Sequence, residues 1–407
     1  MKLKLAYLNH TTQALIKAAN EVIGELKLHG YEAYIVGGAV RNLLLKKVVN
    51  DIDITTNCLP ENIIKIFSKT VPVGIEHGTV IVLWQDYQFE VTTFRVDGEY
   101  IDHRRPEQVQ FVTDLKSDLE RRDFTINALA LSETHEIIDY FDGQKDLVNK
   151  EIRAVGNAAH RFEEDALRMM RAIRFQSVLN FNIEENTMLA IEKHAATITL
   201  VSIERIVVEM KKILMGKGVH EALHIFYKTM YSHLPFFRAI KGNTASYQIH
   251  SPADFTVYIA YIIYCELKVD QDLTSKISDF KLSNQEKKQI KDCVLIFDYF
   301  NQPDMSLKSF VYRFDIDLIK DVYHFILNEK IIFDNLVDIT SIQNAKQQLP
   351  IQTRDELQID GNVLMTYLNK KPGPWLKSMI NKIELAVIEG RLSNRQEKIL
   401  EWAKNHV

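Results

Sequence analysis

Cysteine is scarce. Only three lie among 407 residues, Cys58, Cys265 and Cys293, and they are far apart. That spacing gives neither a disulfide framework nor a zinc-ligand pattern, and it fits a reducing compartment. Glycine (15) and proline (9) are too few for a collagen-like or low-complexity chain. No run of about 18 uncharged apolar residues occurs, which excludes a membrane-spanning helix. The stretch Met1 to His10 has no long apolar core and no cleavage pattern, so no signal peptide is expected and the cytoplasm is the expected location. Charge of one sign is also lacking: 50 Lys and Arg face 54 Asp and Glu, a net charge of −4. A nucleic-acid partner therefore requires the basic residues to be clustered. What is present is a chain 46% hydrophobic, with 20 Phe and 16 Tyr. At roughly 150 residues per domain, it should build two to four cores.

The first ~145 residues read as α/β. A helical stretch from Thr11 to Leu28 precedes a short strand, Ala33 to Val36. Gly37 and Gly38 break it, and a helix resumes from Val40 to Leu45. Asp51-Ile-Asp-Ile-Thr alternates as a strand. Thr79 to Trp84 and Gln88 to Phe94 flank Gln85-Asp86-Tyr87 as a hairpin. Strands follow near Val109 to Val112 and Ile137 to Tyr140, and Asp142-Gly143 is a turn able to close this unit. From Phe162 onward alternation disappears. Pro235, Pro303, Pro350 and Lys371-Pro-Gly-Pro374 punctuate helical segments. No repeat of 20–50 residues is present. The plan is a small α/β head followed by ~250 helical residues.

Four motifs bear chemistry. Val36-Gly37-Gly38-Ala-Val-Arg41 places two glycines between a strand and a helix, where backbone N–H groups can approach a phosphate and Arg41 can pair with it. It matches neither a P-loop nor a dinucleotide fingerprint. Ten residues later, Asp51 and Asp53 share one strand face while Ile52 and Ile54 take the other. Two adjacent carboxylates repel unless a divalent cation sits between them. A phosphate cradle beside a carboxylate pair is what nucleotidyl transfer requires. Alone, the pair would read as a solvated edge strand. Glu90, in Phe89-Glu-Val-Thr, is a candidate third carboxylate or else a surface residue.

The second motif is Arg121-Arg122-Asp123-Phe-Thr-Ile-Asn127. Read as a helix start, it puts Asp123 and Asn127 on one face, with Arg122 for phosphate and the other two for ribose hydroxyls; the competing reading is a helix cap. The third is Glu164-Asp165-Ala-Leu-Arg168-Met-Met-Arg171-Ala-Ile-Arg174. As one amphipathic helix it carries Asp165, Arg168, Arg171 and Arg174 on its polar side, with Arg174 half-way round from Asp165. A carboxylate and a guanidinium one turn apart can read a base edge; the plain alternative is an exposed helix with i,i+3 ion pairs. The fourth, Arg205-Ile-Val-Val-Glu209-Met-Lys-Lys212, reads as an ion-pair ladder bracing one helix against its neighbours.

Taken in order, GGAVRN (37–42), DID (51–53), RRDFTINA (121–128), EEDALRMMRAIRF (163–175) and ERIVVEMKK (204–212) resemble the bacterial class II tRNA nucleotidyltransferases, the CCA-adding enzymes, a family similar in sequence to bacterial poly(A) polymerases. The motifs cover about residues 33 to 215. Lys371-Pro-Gly-Pro-Trp375 and the segment through Trp402 resemble the family's tail less specifically. The resemblance implies an α+β protein with a polymerase-β-like head and all-helical neck, body and tail, with boundaries expected at 1–149, 150–215, 216–300 and 301–407. It implies Mg²⁺ on Asp51 and Asp53, and nucleotide contacts from Gly38, Arg41 and Arg122. Asp165 and Arg168 would be the protein template for cytosine and adenine, with Arg171 and Arg174 around the nucleotide. The family usually has Asp where this chain has Asn42, a change expected to alter local charge and not the metal site. Arg95 to Pro106, with Asp102, Arg104 and Arg105, resembles the flexible loop of enzymes that add the terminal A.

The expected activity is addition of C, C and A to tRNA 3′ ends from CTP and ATP, releasing diphosphate without a nucleic-acid template. The alternatives are a poly(A) polymerase, a CC- or A-only enzyme, and a non-catalytic RNA-binding protein with a degenerate head; intact Asp51 and Asp53 speak against the last. Lys370, Lys371, Lys377 and Lys382, in a stretch without acidic residues, are candidates for tRNA phosphate contacts. A homodimer is compatible with the sequence.

Overall fold

The computed structural model describes residue 3 and residues 8–97, 109–266, 273–333 and 335–406. Of the expected loop over Arg95 to Pro106, residues 98–106, with Asp102, Arg104 and Arg105, lie outside the described residues, and Arg95–Asp97 form a strand. The chain divides into two compact units, Met1–Arg238 and Ala239–Val407.

The first unit opens with α1 (His10–Leu28), whose Asn9 side chain caps Thr12 N–H at 2.8 Å. Its apolar stripe, including Leu15, Ile16, Val22, Ile23 and Leu26, is buried. Then follow β1 (Ala33–Val36), α2 (Gly38–Leu44), β2 (Asp53–Thr56), α3 (Pro60–Ile66), β3 (Thr70–Val71), β4 (Thr79–Trp84) and β5 (Tyr87–Thr93). A small ribbon, β6 (Arg95–Asp97) with β7 (Val109–Phe111), precedes α4 (Leu115–Glu120), β8 (Leu129–Leu131) and β9 (Ile137–Asp139). Seven of these strands form one sheet in the order β3-β4-β5-β2-β1-β8-β9. Every pairing is antiparallel except β2 with β5.

The hairpin expectation is met by β4 and β5, joined by Gln85 and Asp86, with Gln85 at φ 54°. Two expectations need correction. Residues 123–127 are not the start of an α-helix: Thr125–Asn127 forms a single 3₁₀ turn that runs into β8. Leu129-Ala-Leu131 is buried at all three residues, so it shows no alternation that would mark it as a strand. The turn at Asp142-Gly143 does not end the unit either. It leads into α5 (Gly143–Asn149) and β10 (Glu151–Ile152). A Cβ at Gly143 would lie 2.2 Å from the Thr125 carbonyl oxygen, so only glycine lets α5 pack against that turn.

Helices complete the first unit: α6 (Ala158–Glu164), α7 (Leu167–Leu179), α8 (Glu185–His194), α9 (Ile203–Leu214), α10 (Val219–Thr229) and α11 (Pro235–Arg238), with strand β11 (Asn182–Ile183) pairing with β10. The central helix, α7, packs on α9 and α10, and its Met169, Met170 and Ile173 are fully buried.

The described part of the second unit is helical: α12 (Phe255–Glu266), α13 (Asn284–Asn301), α14 (Leu307–Arg313), α15 (Ile316–Asn328), α16 (Ile339–Gln347), α17 (Gly361–Leu368), α18 (Pro374–Ile388) and α19 (Gln396–Lys404). Ser283 and Glu286 close a capping box on α13. Aromatic packing fills the core, with Tyr299 stacked on Phe310 at 3.8 Å. Pro235 and Pro374 sit at the first position of their helices, and Pro303 and Pro350 just past the end of theirs. Among the described residues, no helix is long and apolar enough to cross a membrane.

Candidate active site

β1 and β2 pair antiparallel with Val36 opposite Asp53, which sets the glycine turn beside the carboxylates. Gly37 takes φ 71°, ψ −132°, a conformation open to glycine alone, and a Cβ there would meet Arg122 Nη1 at 3.0 Å. The turn thus needs glycine for its backbone and for the guanidinium lying over it. Because α2 has only seven residues, its dipole contributes little; side-chain charge must do most of the anion holding.

Those charges converge on one cavity of about 630 Å³, within the usual range for a small-molecule site. Gly37, Gly38, Asp51 and Asp53 line it together with Arg41, Arg121, Arg122, Asp123 and Asn127. Asp165, Leu167, Arg168, Arg171, Arg174, Phe175 and Arg205 complete the wall. Seven arginines therefore face four aspartates, an excess of three positive charges in a protein of net charge −4. Such a surface suits a polyanion.

Ile52 and Ile54 are buried while Asp51 and Asp53 are open to the cavity. Asp53 sits in a recess with protein on most sides, although its own surface is accessible. That burial, then Glu90 and Asp51, push its carboxyl up to about 6, against Arg122. Glu90 stands beside Asp53 in parallel register but outside the cavity wall. Among the described residues, no group of three His, Cys, Asp or Glu comes close enough to hold a metal. Glu90 adds negative charge beside Asp53. A floor with this surplus of negative charge fits a divalent cation on Asp51 and Asp53.

The second motif forms a polar chain. Arg171 on α7 donates to Asp123 Oδ2, with its Nε at 2.7 Å. Asp123 Oδ1 accepts from Phe124 N–H at 2.8 Å and from Asn127 Nδ2 at 2.9 Å. Asn127 Oδ1 in turn accepts from Arg41 Nη1 at 2.5 Å. Burial alone would raise the Asp123 carboxyl, but Arg171 and these donors hold it down to about 2. Asp123 and Asn127 do share a face, through the 3₁₀ turn. In this state their polar atoms hold one another and two arginines. Asn42 accepts from Arg41 Nε and Nη2 at 3.2 and 3.1 Å. Being neutral, it orients Arg41 without cancelling its charge.

The third motif is not one continuous helix. α6 ends at Glu164, Asp165 is extended at φ −141°, and α7 begins at Leu167. Asp165 Oδ1 caps the new helix by accepting from Leu167 N–H at 3.0 Å, and Oδ2 accepts from Arg205 Nη2 at 2.8 Å. Arg168, 8% exposed, is anchored to the carbonyls of Arg161 and Arg121, each at 3.1 Å, and to Glu164. Arg174, placed half-way round by helical counting, reaches the cavity and pairs with Glu209 at 3.0 Å. The break at Asp165 makes that angular count inapplicable. Arg205 and Glu209 brace α9 against its neighbours as expected, but through Asp165 and Arg174 on other elements.

Three residues with no assigned role matter here, Arg121 and Phe175, which line the cavity, and Asp118; Arg205, read from the sequence only as a brace, lines the cavity too. Asp118 is fully buried and receives Arg121 at 2.9 Å, Arg122 at 3.4 Å and Thr55 Oγ1 at 3.1 Å. Burial raises its carboxyl, yet Arg121 and Arg122 hold it below the ordinary value. Nothing in Leu115-Lys-Ser-Asp118 marks it, because its partners converge only in the fold. Asp118→Ala strands two guanidinium groups and is expected to cost about 3–5 kcal/mol in denaturant unfolding. Since the folded carboxyl is depressed, the wild-type contribution is present above the ordinary carboxylate range and lost as pH falls through the folded value.

Comparison with known proteins agrees with this architecture. Residues 33–153 match the Poly A polymerase head domain, residues 180–237 the "Probable RNA and SrmB- binding site of polymerase A", and residues 252–403 the tRNA nucleotidyltransferase domain 2. The CCA-adding enzyme of Staphylococcus epidermidis is 39% identical over 401 residues, 97% of this chain and 98% of that one. That of Staphylococcus haemolyticus is 42% identical over 403 residues, again 97% and 98%. The crystal structure of the Bacillus stearothermophilus CCA-adding enzyme in complex with CTP superposes with a TM-score of 0.85 at 32% identity, covering 96% of this chain and 97% of that one. The Thermotoga maritima CCA-adding enzyme complexed with tRNA shares the fold, with a TM-score of 0.62 at 19% identity, covering 100% and 98%. With a head sheet that pairs Asp51 and Asp53 beside a glycine turn, helices that bring a ring of arginines over them, and near-full-length identity at this level, the chain belongs to the CCA-adding enzymes, which are nucleotidyltransferases.

Proposed function

We propose that this cavity selects CTP and ATP and adds C, C and A to the 3′ end of tRNA, releasing diphosphate. The carrying observation is the layout of one cavity: carboxylates Asp51 and Asp53 on its floor, an arginine excess around it, and the braced pair Asp165 and Arg168 in its wall. Gly38, Arg41, Arg122, Arg171 and Arg174 hold the triphosphate and ribose. Asp165 and Arg168 read the base, and Arg205 and Leu167 N–H fix the orientation of the Asp165 carboxylate. Asp51 and Asp53 would hold Mg²⁺, which would supply Lewis acidity at the reacting phosphate. The protein's own part is positioning and charge neutralisation, so no acid–base triad is needed.

The domain plan proposed with this reading is a head over 1–149, a neck over 150–215, a body over 216–300 and a tail over 301–407. The basic stretch around Lys370, Lys371, Lys377 and Lys382 contacts tRNA phosphate, with Lys370 over the Trp375 ring at 5.6 Å. The cytoplasm is the proposed site of action. The test is to sequence the 3′ ends formed on tRNA lacking CCA with CTP, ATP and Mg²⁺. Ends in CCA support the reading. A lone C or A, a long A tail or no extension each overturn it.

A further inference from the structure

Phe175 has no polar or titratable group, yet it lines the cavity. Its ring is only 6% exposed and is held edge-on by Phe124, with centroids 5.7 Å apart and planes at 83°. Three guanidinium carbons gather around it: Arg174 at 4.2 Å, Arg41 at 5.0 Å and Arg171 at 5.8 Å from the ring centroid. Arg174 and Arg171 share α7 with Phe175, one residue and one turn away, so their closeness is local; Arg41 is brought to the ring from α2 by the fold. Arg171 is paired with Asp123 and Arg174 with Glu209. The hydrogen bonds of Arg41 go to neutral Asn42 and Asn127. Burial, and then Arg174 and Arg171, push its guanidinium down to about 10. Holding Arg41 beside two other cations with only neutral hydrogen-bond partners is costly, and the electron-rich face of a ring is a fixed counterweight that does not compete for a phosphate.

We propose that Phe175 is a positioning residue for the nucleotide triphosphate, keeping the guanidinium groups of Arg41 and Arg174 gathered at the cavity before the nucleotide arrives. The inference rests on the reading of these arginines as triphosphate holders. Because every nucleotide carries the same triphosphate, Phe175 acts equally on CTP and ATP and leaves base choice alone. The bland alternative is that the ring only fills space against Phe124.

Phe175→Leu keeps an apolar side chain but removes the ring face. It is expected to raise KM for CTP and ATP by the same factor, about 5–30-fold, with kcat little changed. Inorganic tripolyphosphate, which has no base or ribose, should weaken as a competitive inhibitor by that same factor. Phe175→Tyr should restore both. Arg41→Gln and Arg174→Gln test the underlying reading: if tripolyphosphate inhibits them as it does the wild type, the triphosphate assignment fails. If they weaken it and Phe175→Leu does not, the role of Phe175 alone is overturned. A Leu variant that loses kcat at unchanged KM, or affects CTP and ATP unequally, also overturns it.

Discussion

Asp53→Asn is expected to abolish addition of both C and A while the folded protein survives and still binds tRNA. Asp51→Ala should do the same. The two carboxylates are open to the cavity at its floor, and burial together with Glu90 and Asp51 raises the Asp53 carboxyl to about 6. A carboxyl that binds its proton more tightly folded than unfolded weakens the fold once the pH exceeds both values. Removing that charge should therefore leave thermal stability without divalent cation unchanged or higher, even as activity vanishes. The opposite signs separate a site residue from a structural one. The checks are single-turnover extension with CTP or ATP, tRNA binding by filter retention, and a thermal melt in chelator. Near-wild-type turnover in either variant with Mg²⁺ would place the chemistry elsewhere.

Base choice is the second large effect. Cytosine and adenine each present an exocyclic amine beside a ring acceptor, which a carboxylate and a guanidinium can meet together. Uracil and guanine present a carbonyl there, facing a carboxylate with no proton to share. The Asp165 carboxylate is clamped by Arg205 and Leu167 N–H, and Arg168 by two backbone carbonyls and Glu164. The pair is thus rigid enough to discriminate. Asp165→Ala is expected to lose about 1–3 kcal/mol of preference for C and A over U and G, roughly 5–150-fold in relative kcat/KM. Asp165→Asn, whose amide can also donate, should shift further towards U and G. Equal loss for all four nucleotides would show that Asp165 serves only to cap α7.

Asp51 and Asp53 were readable because alternation is a local rule: apolar Ile52 and Ile54 commit one strand face to the core, and the acids take the other. Gly37 was readable because a strand stopped by two glycines before a helix requires an unusual backbone. Ordered motifs then pointed to the family, which the near-full-length relatives establish. The roles of the individual site residues are what the experiments above test. Helical counting failed from Asp165 to Arg174 because it assumes an unbroken helix. Asp165 instead ends one helix and caps the next, with its second carboxylate oxygen held by Arg205 from 40 residues away.

By itself, then, the sequence determined which residues are the candidates for phosphate-, metal- and base-directed chemistry, since strand alternation, glycine turns and motif order are encoded within a few residues. Only the tertiary structure decided how they are held. Asp118 gathers Arg121, Arg122 and Thr55; Asp123 and Asn127 link Arg171 to Arg41; and Phe175 faces arginines from two helices. These contacts join residues as far apart in the chain as Arg41 and Phe175. A charge or a ring has no local pattern that names its partner, so its role appears only once packing has excluded water and brought the partner within a few ångströms.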